Sequence, residues 1–399
     1  MSAQGGSDDC PLVVHIIPSP LGRGAQRAAR ILVDRLDDPG VIRHRLVGLF
    51  DGPPEVRIDV ALGFPGGDKA AEGFHPPLAL RLRRTLARLD PAGVVAHGGD
   101  AMKYALPALI GTGHPLAYCV IGTYAGPPTP LHEWLWRRLM ARADLVVAVG
   151  DEVLQECTER FGVHSRLAVV IPNGRDDALF HPRSPGPGAA APVTIVFVGA
   201  MTPQKQPDRF IDVVTRLRAE GQAFRALMIG DGPLAHRVAG RAPEHDVEFL
   251  GSRADVPELL RQSDVLVFTG LPTGEGMPGV LIEAGLSGLP AVSTPVPGAH
   301  AVLADGRTGM IVDDDVATMV DAVGQLLDDP ARRAAMGSAA RSRCQSQFTL
   351  DLMAERWRAA LQSIGLPQDG AARRGRMGPP RNAISLRRWR RTFRGSSHS

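Results

Sequence analysis

Short runs of apolar, β-branched residues alternate with amphipathic segments from the start of this chain to about residue 328, and this alternation most constrains its fold. The pattern is typical of repeated βα units around parallel sheets. Nine runs predict buried strands in two sets: Leu12–Ile17, Gly93–Ala96, Leu116–Ile121 and Leu145–Val149, and then Val193–Val198, Ala226–Ile229, Val265–Thr269, Ala291–Ser293 and Met310–Val312. We expect an α/β fold with two doubly wound parallel sheets.

A stretch rich in proline and glycine separates the two sets of strands. It begins at Pro182, and neither a helix nor a strand would accept it. We predict five regions: an N-terminal domain over 1–182, a linker over 183–192, a C-terminal domain over 193–347, a helix over 348–365 that packs back towards the N-terminal domain, and a basic, disordered tail over 366–399. The cleft between the sheets, lined by the carboxyl ends of their strands, would bind the ligand.

Composition excludes several classes of protein. A chain of 399 residues with 44% hydrophobic residues is neither disordered nor fibrous. No apolar run approaches the roughly 20 residues that span a bilayer, and the four cysteines lack the spacing of a zinc or redox site. Residues 1–10 hold two acids and no base, unlike a secretory signal. We therefore expect a cytoplasmic protein.

The charge of the chain is uneven. The net charge is +3, yet residues 371–399 hold nine arginines and no acid, so the rest of the chain is mildly acidic. Arginines mixed with Trp389 and Phe393 are typical of segments that settle on anionic lipid surfaces, which would make the protein peripheral at the inner membrane face. A solvated, disordered extension is the alternative. Nucleic-acid binding would rest on these arginines alone, and we do not expect it.

The first predicted strand is followed by a turn that contains Gly22 and Gly24, ahead of a helical pattern. Glycines let the backbone approach a ligand closely, and a helix N-terminus presents free amides to an anion. The third glycine of a dinucleotide fingerprint is missing. The turn is therefore compatible either with contact to a phosphate or substrate or with a plain tight turn.

The loop after Val193–Val198 carries Gly199 and then Lys205, which stands directly before a helical pattern. A lysine in a loop at the carboxyl edge of a sheet can balance the charge of a leaving diphosphate. The alternative is a solvated lysine on the surface.

A glycine-rich segment after Val265–Thr269 holds two carboxylates, Glu275 and Glu283. A helix is predicted from about Gly279, so Glu283 interrupts an apolar helix, where a carboxylate is rarely buried without a partner. Adjacent ribose hydroxyls would be suitable partners, because a carboxylate accepts two hydrogen bonds. A structural capping role for Glu283 is the alternative.

The segment from Glu275 to Gly285, which reads Glu-Gly-Met-Pro-Gly-Val-Leu-Ile-Glu-Ala-Gly, resembles the donor-site signature of retaining family-4 glycosyltransferases, or glycosyl transferases group 1. The resemblance covers about residues 11–364 and implies a GT-B fold, in which two Rossmann-like domains face each other across a cleft. It also implies transfer of a sugar from a nucleotide diphosphate sugar with retention of anomeric configuration. Other landmarks agree in order and spacing: Ile171–Gly174, Val198–Gly199 with Lys205, Ile229–Pro233, Phe249–Gly251 and Gly288–Pro290.

The resemblance also implies roles for single residues. Lys205 would neutralise the diphosphate, Glu275 would contact sugar hydroxyls near the reacting carbon, and Glu283 would hold the ribose. The other implied donor-binding residues are Gly22, Gly24, Gly199, Gly276, Met277 and Gly279, the last three through backbone amides that cap phosphate or sugar oxygens. The resemblance implies neither a cofactor nor a metal. The acceptor would be a lipid, a polysaccharide or a small molecule.

Two positions depart from the family's pattern. Ala200 stands where members commonly have an arginine, and Ile121 stands where many have a histidine. His97, at the end of another predicted strand, is then the nearest candidate for contact with the acceptor or the sugar, with a structural role as the alternative. The departures leave open a catalytically silent nucleotide-sugar-binding protein. The fold alone leaves open an epimerase or a phosphorylase.

Overall fold

The computed structural model describes residues 10–22, 24–65, 73–122, 130–163, 168–183, 192–272 and 276–366. The first domain is an alternation of strands and helices: β1 (Leu12–Ile17), α1 (Gly24–Leu36), β2 (Arg43–Phe50), β3 (Val60–Phe64), α2 (Pro76–Leu89), β4 (Gly93–His97), α3 (Gly98–Leu109), β5 (Leu116–Val120), α4 (Pro130–Met140), β6 (Leu145–Ala148), α5 (Asp151–Phe161) and β7 (Ala168–Val170). The second domain continues the alternation: β8 (Thr194–Val198), α6 (Pro207–Ala219), β9 (Arg225–Ile229), α7 (Ala235–Arg241), β10 (Glu248–Phe249), α8 (Val256–Arg261), β11 (Val265–Phe268), α9 (Gly279–Leu286), β12 (Ala291–Ser293), α10 (Ala299–Val302), β13 (Gly309–Ile311), α11 (Val316–Asp328) and α12 (Pro330–Gln347). A last helix, α13 (Leu350–Ser363), follows.

The two sheets share one strand order. The first runs β3-β2-β1-β4-β5-β6-β7 and the second β10-β9-β8-β11-β12-β13. The strand pairings within both sheets are parallel. The order reverses between β1 and β4 and again between β8 and β11, and ligands bind outside the carboxyl ends of the strands at such points. The prediction of two doubly wound parallel sheets is confirmed.

The nine predicted strands are all present, with ends that differ from the prediction by one residue at most. Four further strands were not predicted, namely β2, β3, β7 and β10. Two of them, β7 and β10, have only three and two residues. Such strands are too short to show a period of two.

Helix α13 packs on the first domain. Trp357 and Met353 are buried in one apolar cluster with Val13 of β1 and Val95 of β4. Arg35 of α1 also forms an ion pair with Asp351 near the start of α13. The chain thus returns from the second sheet to the first. The predicted domain limits stay a prediction, because most of the linker and of the tail lies outside the described residues.

Loops of the second domain touch the carboxyl edge of the first sheet. A Cβ on Gly276 would lie 2.2 Å from the carbonyl oxygen of Ile121, which directly follows β5. Glu152, in the first turn of α5, accepts a hydrogen bond of 3.0 Å from the amide of Gly298. The carboxyl ends of the two sheets therefore face each other, and these loops meet between them.

Candidate functional site

Lys205 lies where the strand order of the second sheet reverses. It ends a short 3₁₀ turn, Pro203–Lys205, that follows β8. Thr269, just after β11, donates its hydroxyl hydrogen to the carbonyl oxygens of Lys205 and Gln206 at 2.8 and 3.0 Å. The side chain is half-buried, with Nζ 4.8 Å from the centre of the Phe268 ring. The ammonium group is thus held at the carboxyl edge between β8 and β11, where an anionic ligand would bind.

The loop that begins at Gly199 packs against a second glycine-containing loop, which follows β9. Gly230 and Gly232 have φ angles of 142° and 153°. A Cβ on Gly230 would lie 1.9 Å from the carbonyl oxygen of Gly199, and one on Gly232 would lie 2.7 Å from that of Met201. Both positions therefore require glycine. The amide of Gly199 donates to the carbonyl of Ile229 at 3.0 Å, so this amide is engaged in the sheet and does not point at a ligand.

The glycine-rich segment after β11 contains the second predicted catalytic residue, Glu275, which lies outside the described residues. Gly276 and Met277 are buried. Besides its contact with Ile121, Gly276 lies against Gly298, whose added Cβ would be 2.3 Å from the Gly276 carbonyl oxygen. Gly276 is therefore held between the two domains, which is a steric reason for a glycine at this position.

Helix α9 begins at Gly279, and Glu283 lies one turn later on the same face. The carboxylate of Glu283 accepts a hydrogen bond of 2.6 Å from Nε of Arg175. A Cβ on Gly279 would lie 1.8 Å from Nη2 of the same arginine, so only glycine leaves room for the guanidinium group here. Arg175 therefore lies on the face of α9 where the sequence analysis predicts that Glu283 binds the ribose.

Sequence reasoning did not identify Arg175. The landmark Ile171–Gly174 ends directly before it, and Glu283 was expected to need a partner. Both signals were present, but 108 positions separate the two residues along the chain. A single sequence does not indicate which charges the fold brings together over such a distance.

His97 is part of a buried chain of three histidines in the first sheet. Its Nε2 lies 2.9 Å from Nδ1 of His15 on β1, and Nε2 of His15 lies 2.9 Å from Nδ1 of His44 on β2. All three side chains are buried, and Nε2 of His44 has no hydrogen-bond partner among the described residues. One ring nitrogen of His97 is thus bound inside the protein, and only Nδ1 remains for a contact with an acceptor or a sugar.

The histidine chain is uncharged at neutral pH. Burial, assisted by the nearby His44, His97 and Arg30, lowers the pKa of His15 well below its usual value. Burial lowers the pKa of His44 to about 3, with a further contribution from Arg358, and burial lowers the pKa of His97 to about 4. Each neutral ring offers one donor and one acceptor, which is what a chain of hydrogen bonds between rings needs.

The predicted contacts of Gly22 and Gly24 lie at the start of α1. The amide of Gly22 donates to Oε2 of Glu55 at 2.9 Å, so this amide is already bound to a carboxylate of the chain itself. Gly24 is exposed, with open space where a Cβ would stand. The carboxylate of Glu55 thus binds the Gly22 amide that was predicted to contact a phosphate or substrate.

No group of three or more histidine, cysteine, aspartate or glutamate side chains within the described ranges could hold a metal ion. The acidic loop after β13 serves the fold, since Asp315 caps α11 by accepting from the amide of Thr318 at 2.9 Å and Asp314 forms an ion pair with Arg209. None of the helices that the structure describes is long and apolar enough to cross a membrane.

Two family models match this chain. Residues 22–179 match the model described as Glycosyltransferase Family 4. Residues 192–329 match the model described as Glycosyl transferases group 1. The two matches cover nearly all of the first sheet and all of the second, and together they span most of the chain.

Two curated relatives cover parts of this chain. A GDP-mannose-dependent monoacylated alpha-(1-6)-phosphatidylinositol monomannoside mannosyltransferase of Corynebacterium glutamicum is 26% identical over 246 residues, which are 57% of this chain and 64% of the relative. A D-inositol 3-phosphate glycosyltransferase of Nocardia farcinica is 29% identical over 314 residues, which are 71% of this chain and 68% of the relative. The chain thus spans less than two thirds of the length of the first of these relatives.

A solved structure is similar over both domains. The crystal structure of Anabaena Alr3699/HepE in complex with UDP-glucose superposes with a TM-score of 0.72 and 20% sequence identity, and the match covers 88% of this chain and 99% of that chain. At this identity the likeness concerns the fold, which is the GT-B arrangement that the sequence predicted.

Proposed function

Because the chain belongs to the family-4 glycosyltransferases, or glycosyl transferases group 1, we propose that it transfers a sugar from a nucleotide diphosphate sugar with retention of anomeric configuration. The bond between the anomeric carbon and the diphosphate oxygen breaks. A bond to the oxygen of an acceptor hydroxyl forms on the same face of the sugar, and the hydroxyl proton is released. The products are the glycosylated acceptor and a nucleoside diphosphate.

The position of Lys205 carries this proposal. Its turn follows β8, and Thr269, just after β11, holds its carbonyl oxygen at the switch point of the second sheet. Its ammonium group lies near the Phe268 ring at the carboxyl edge. As the glycosidic bond breaks, negative charge grows on the leaving diphosphate. A fixed cation at this edge stabilises that charge more in the transition state than in the ground state.

The glutamates supply the remaining donor contacts of the proposal. Glu283 accepts from ribose hydroxyls, and Glu275 contacts the transferred sugar. The backbone amides around Gly276, Met277 and Gly279 cap phosphate or sugar oxygens in this proposal, because amides at a helix N-terminus are available to an anion. His97, at the end of β4, contacts the acceptor or the sugar in this proposal through Nδ1, the ring nitrogen that is not bound to His15.

The reaction as proposed needs no metal ion and no cofactor. The charge that a divalent cation would balance in other enzymes is balanced by Lys205 and by the amides at the start of α9. Turnover should therefore survive EDTA at a concentration that removes magnesium and manganese. Loss of turnover in EDTA, with recovery on adding either ion, would contradict this account of the leaving group.

The names of the relatives suggest the first substrates to test. One relative is named for GDP-mannose and a phosphatidylinositol mannoside, the other for D-inositol 3-phosphate, and the similar structure contains UDP-glucose. We propose a hexose donor of this kind and an acceptor that bears sugar or inositol hydroxyls, either soluble or linked to a lipid. The test measures the release of UDP or GDP from UDP-glucose or GDP-mannose, with and without D-inositol 3-phosphate or phosphatidylinositol mannoside.

A nucleotide-sugar-binding protein without catalytic activity is the second candidate. It is favoured by Ala200, which is exposed and contributes no charge beside Lys205. Acceptor-dependent release of nucleoside diphosphate supports the transferase. Tight binding of a nucleotide sugar without its consumption in the presence of any acceptor tested supports the binding protein.

The arginine-rich tail leads to a separate proposal about location. Residues 371–399 lie outside the described residues, so the proposal rests on sequence: each arginine near an anionic membrane contributes about 1 kcal/mol. The full chain should co-sediment with vesicles that contain phosphatidylglycerol, and a chain without residues 371–399 should bind them more weakly. Equal sedimentation of both forms would end the membrane proposal while leaving the transferase proposal untouched.

A further inference from the structure

Arg175 lies where the chain leaves the first sheet and meets the start of α13. Its amide donates to the carbonyl oxygen of Phe348 at 2.9 Å, and its own carbonyl accepts from the amide of Leu350 at 2.8 Å. Both sides of the residue's backbone are thus fixed to the crossing between α12 and α13. The side chain starts from a rigid position and reaches into the second domain.

The guanidinium group of Arg175 makes different contacts through its three nitrogens. Nε donates to Oε1 of Glu283 at 2.6 Å, and Nη1 donates to the carbonyl of Gly174 at 3.0 Å. Nη2 lies against Gly279 at the start of α9 and makes no hydrogen bond with the described residues. The other oxygen of Glu283, Oε2, likewise has no partner among those residues.

The pair is too enclosed to be an ordinary surface ion pair. The side chains of Arg175 and Glu283 are 14% and 17% exposed, so both charges have lost much of their hydration. An enclosed pair often adds little net stability compared with apolar residues. What it does provide is a fixed geometry, since the planar guanidinium group allows the carboxylate few orientations.

We propose that Arg175 is a positioning residue for the donor: it holds Glu283 by Oε1 and thereby orients Oε2 towards the ribose. The inference rests on the proposed function, in which Glu283 binds the ribose. Gly279 belongs to the same arrangement, because any side chain there would displace the guanidinium group. Arg175 acts through Glu283 and does not itself take part in bond breaking.

This role predicts which kinetic constant changes. The ribose does not change during transfer, so the contact is equally strong in the ground state and in the transition state. Loss of Arg175 should therefore raise the donor KM by about ten-fold, in line with a hydrogen bond to a charged group, and leave kcat at saturating donor nearly unchanged.

A double-mutant cycle tests the inference. The variants are Arg175→Met, Glu283→Ala and the double variant, each in the full chain. The probe is whichever of UDP, GDP, ADP and TDP binds the wild type most tightly, with Kd measured by calorimetry. Arg225→Met is the matched control, because Arg225 pairs with Glu248 at 2.6 Å at the amino end of β9, away from the carboxyl edge.

We expect Arg175→Met to weaken binding of the nucleoside diphosphate about ten-fold in the wild-type background and by less than two-fold when Glu283 is already alanine. Arg225→Met should leave Kd unchanged. Arg175→Lys, which can still donate to Glu283, should recover part of the affinity. Thermal unfolding of each variant shows whether the fold survives, and a Kd measured on folded protein decides the question.

Two results would overturn the inference while the proposed function stands. One is unchanged nucleotide affinity in Arg175→Met. The other is a loss of affinity that persists in full in the Glu283→Ala background, because Arg175 would then contact the donor directly. If the wild type bound none of the four nucleotides, the proposed function would fail, and the inference would fail with it.

Discussion

The two sheets have the same strand order but bury different polar side chains. The first buries His15, His44 and His97 in one chain of hydrogen bonds. Between residues 192 and 347 the polar side chains that the structure describes as buried are hydroxyls alone: Thr194, Ser263, Thr269, Ser287, Ser293, Thr294 and Thr308. Burial lowers the pKa of the histidines from 6.5, to about 3 for His44 and about 4 for His97, whereas the hydroxyls buried in the second sheet do not titrate over this range.

The buried hydroxyls of the second sheet fix loops at its carboxyl edge. Thr269 donates to the carbonyls of Lys205 and Gln206, and Thr294 donates to the carbonyl of Gly270 at 2.5 Å. These bonds do not depend on pH. The loop that carries Lys205 is therefore held by neutral groups, whereas acid-sensitive groups lie in the domain proposed to face the acceptor.

Acidification should produce the largest difference between the two sheets. The pKa values of the histidines are lower in the folded than in the unfolded state, so protonation destabilises the fold. The free energy of unfolding is at its full value above pH 6.5 and decreases as the pH falls towards about 4 for His97 and about 3 for His44. In this window each histidine contributes a slope of about 1.4 kcal/mol per pH unit. For His44 and His97 together, a change from pH 7.5 to 5 should cost on the order of 4 kcal/mol, and protonation of His15 adds to this loss.

Hydrogen exchange of peptides from β1 and β8 measures this difference, after correction for intrinsic exchange rates. Protection of β1 should fall steeply below pH 6.5, and protection of β8 should fall much less. His44→Leu should reduce the slope in β1, while His245→Leu, at a half-buried position of the second domain, should not. Equal slopes in both sheets would show that the histidine chain does not set the acid stability of the first domain.

How far the sequence predicts the fold also differs between the two sheets. In the second sheet the prediction missed only β10, whereas in the first sheet it missed β2, β3 and β7. Strand β2 begins Arg43-His44-Arg45, and its first residues show no apolar pattern. His44 is nevertheless completely buried, and a hydrogen bond to His15 replaces the contact with water at Nδ1. Hydrophobic periodicity does not show that a strand begins among such polar residues, although its second half contains the buried apolar run Leu46–Phe50.

Lys205→Ala should have the largest effect on catalysis. A matched lysine of the first domain should not show this effect. By analogy with the loss of one oxyanion donor, kcat should fall roughly 10²–10³-fold, or about 2.7–4 kcal/mol. Steady-state kinetics with saturating donor measure this value. The control is Lys103→Ala in the first domain, whose ammonium group pairs with Asp100 at 3.1 Å and should have little influence on turnover.

A wild-type kcat in Lys205→Ala, in a protein that is still folded, would contradict the proposed role of Lys205. Because Ala200 cannot replace its charge, that result would favour the binding protein without catalytic activity. If kcat instead fell strongly in Lys103→Ala, the catalytic cation would lie in the first domain, and the contrast between the two sheets would be reversed.

Glu283→Ala should affect binding and leave the chemical step intact. Hydrogen bonds to a charged group are worth about 1.5–3 kcal/mol, so the donor KM should rise by roughly 10–100-fold, with kcat nearly unchanged. The control is Glu258→Ala on α8, whose carboxylate pairs with Arg261 at the surface. A fall in kcat at constant KM would indicate that Glu283 acts on the transition state.

The site residues show the limit of sequence reasoning in the same way as the strands do. Lys205, Gly279 and Glu283 were predicted from a local pattern of strand, loop and helix and from the resemblance to the family, and their roles stay predictions. Arg175 and His15 were missed because their significance depends on partners 108 and 82 positions away. Local chemistry can be read from one sequence, but contacts between domains or across strands need the fold.

We expect the smallest effect from Thr269→Val. This variant directly tests whether the neutral hydroxyl of Thr269 holds the turn that carries Lys205. The substitution keeps the side-chain shape and removes the hydroxyl that holds the carbonyls of Lys205 and Gln206. The net loss of stability should be about 1 kcal/mol. A looser turn should also misplace the ammonium group, so kcat should fall by about ten-fold while the donor KM stays nearly constant.

Thr308→Val is the matched control for Thr269→Val. Thr308 is also buried, at 4% exposure against 0% for Thr269, and its hydroxyl accepts from the amide of Ala304 at 2.8 Å, but it lies at the amino end of β13. The two variants should lose similar stability in chemical unfolding, and only Thr269→Val should lose turnover. If both turn over alike, Lys205 is held in place without Thr269. A matching loss of kcat in both would mean that general stability of the second sheet, and not the support beneath Lys205, sets the rate.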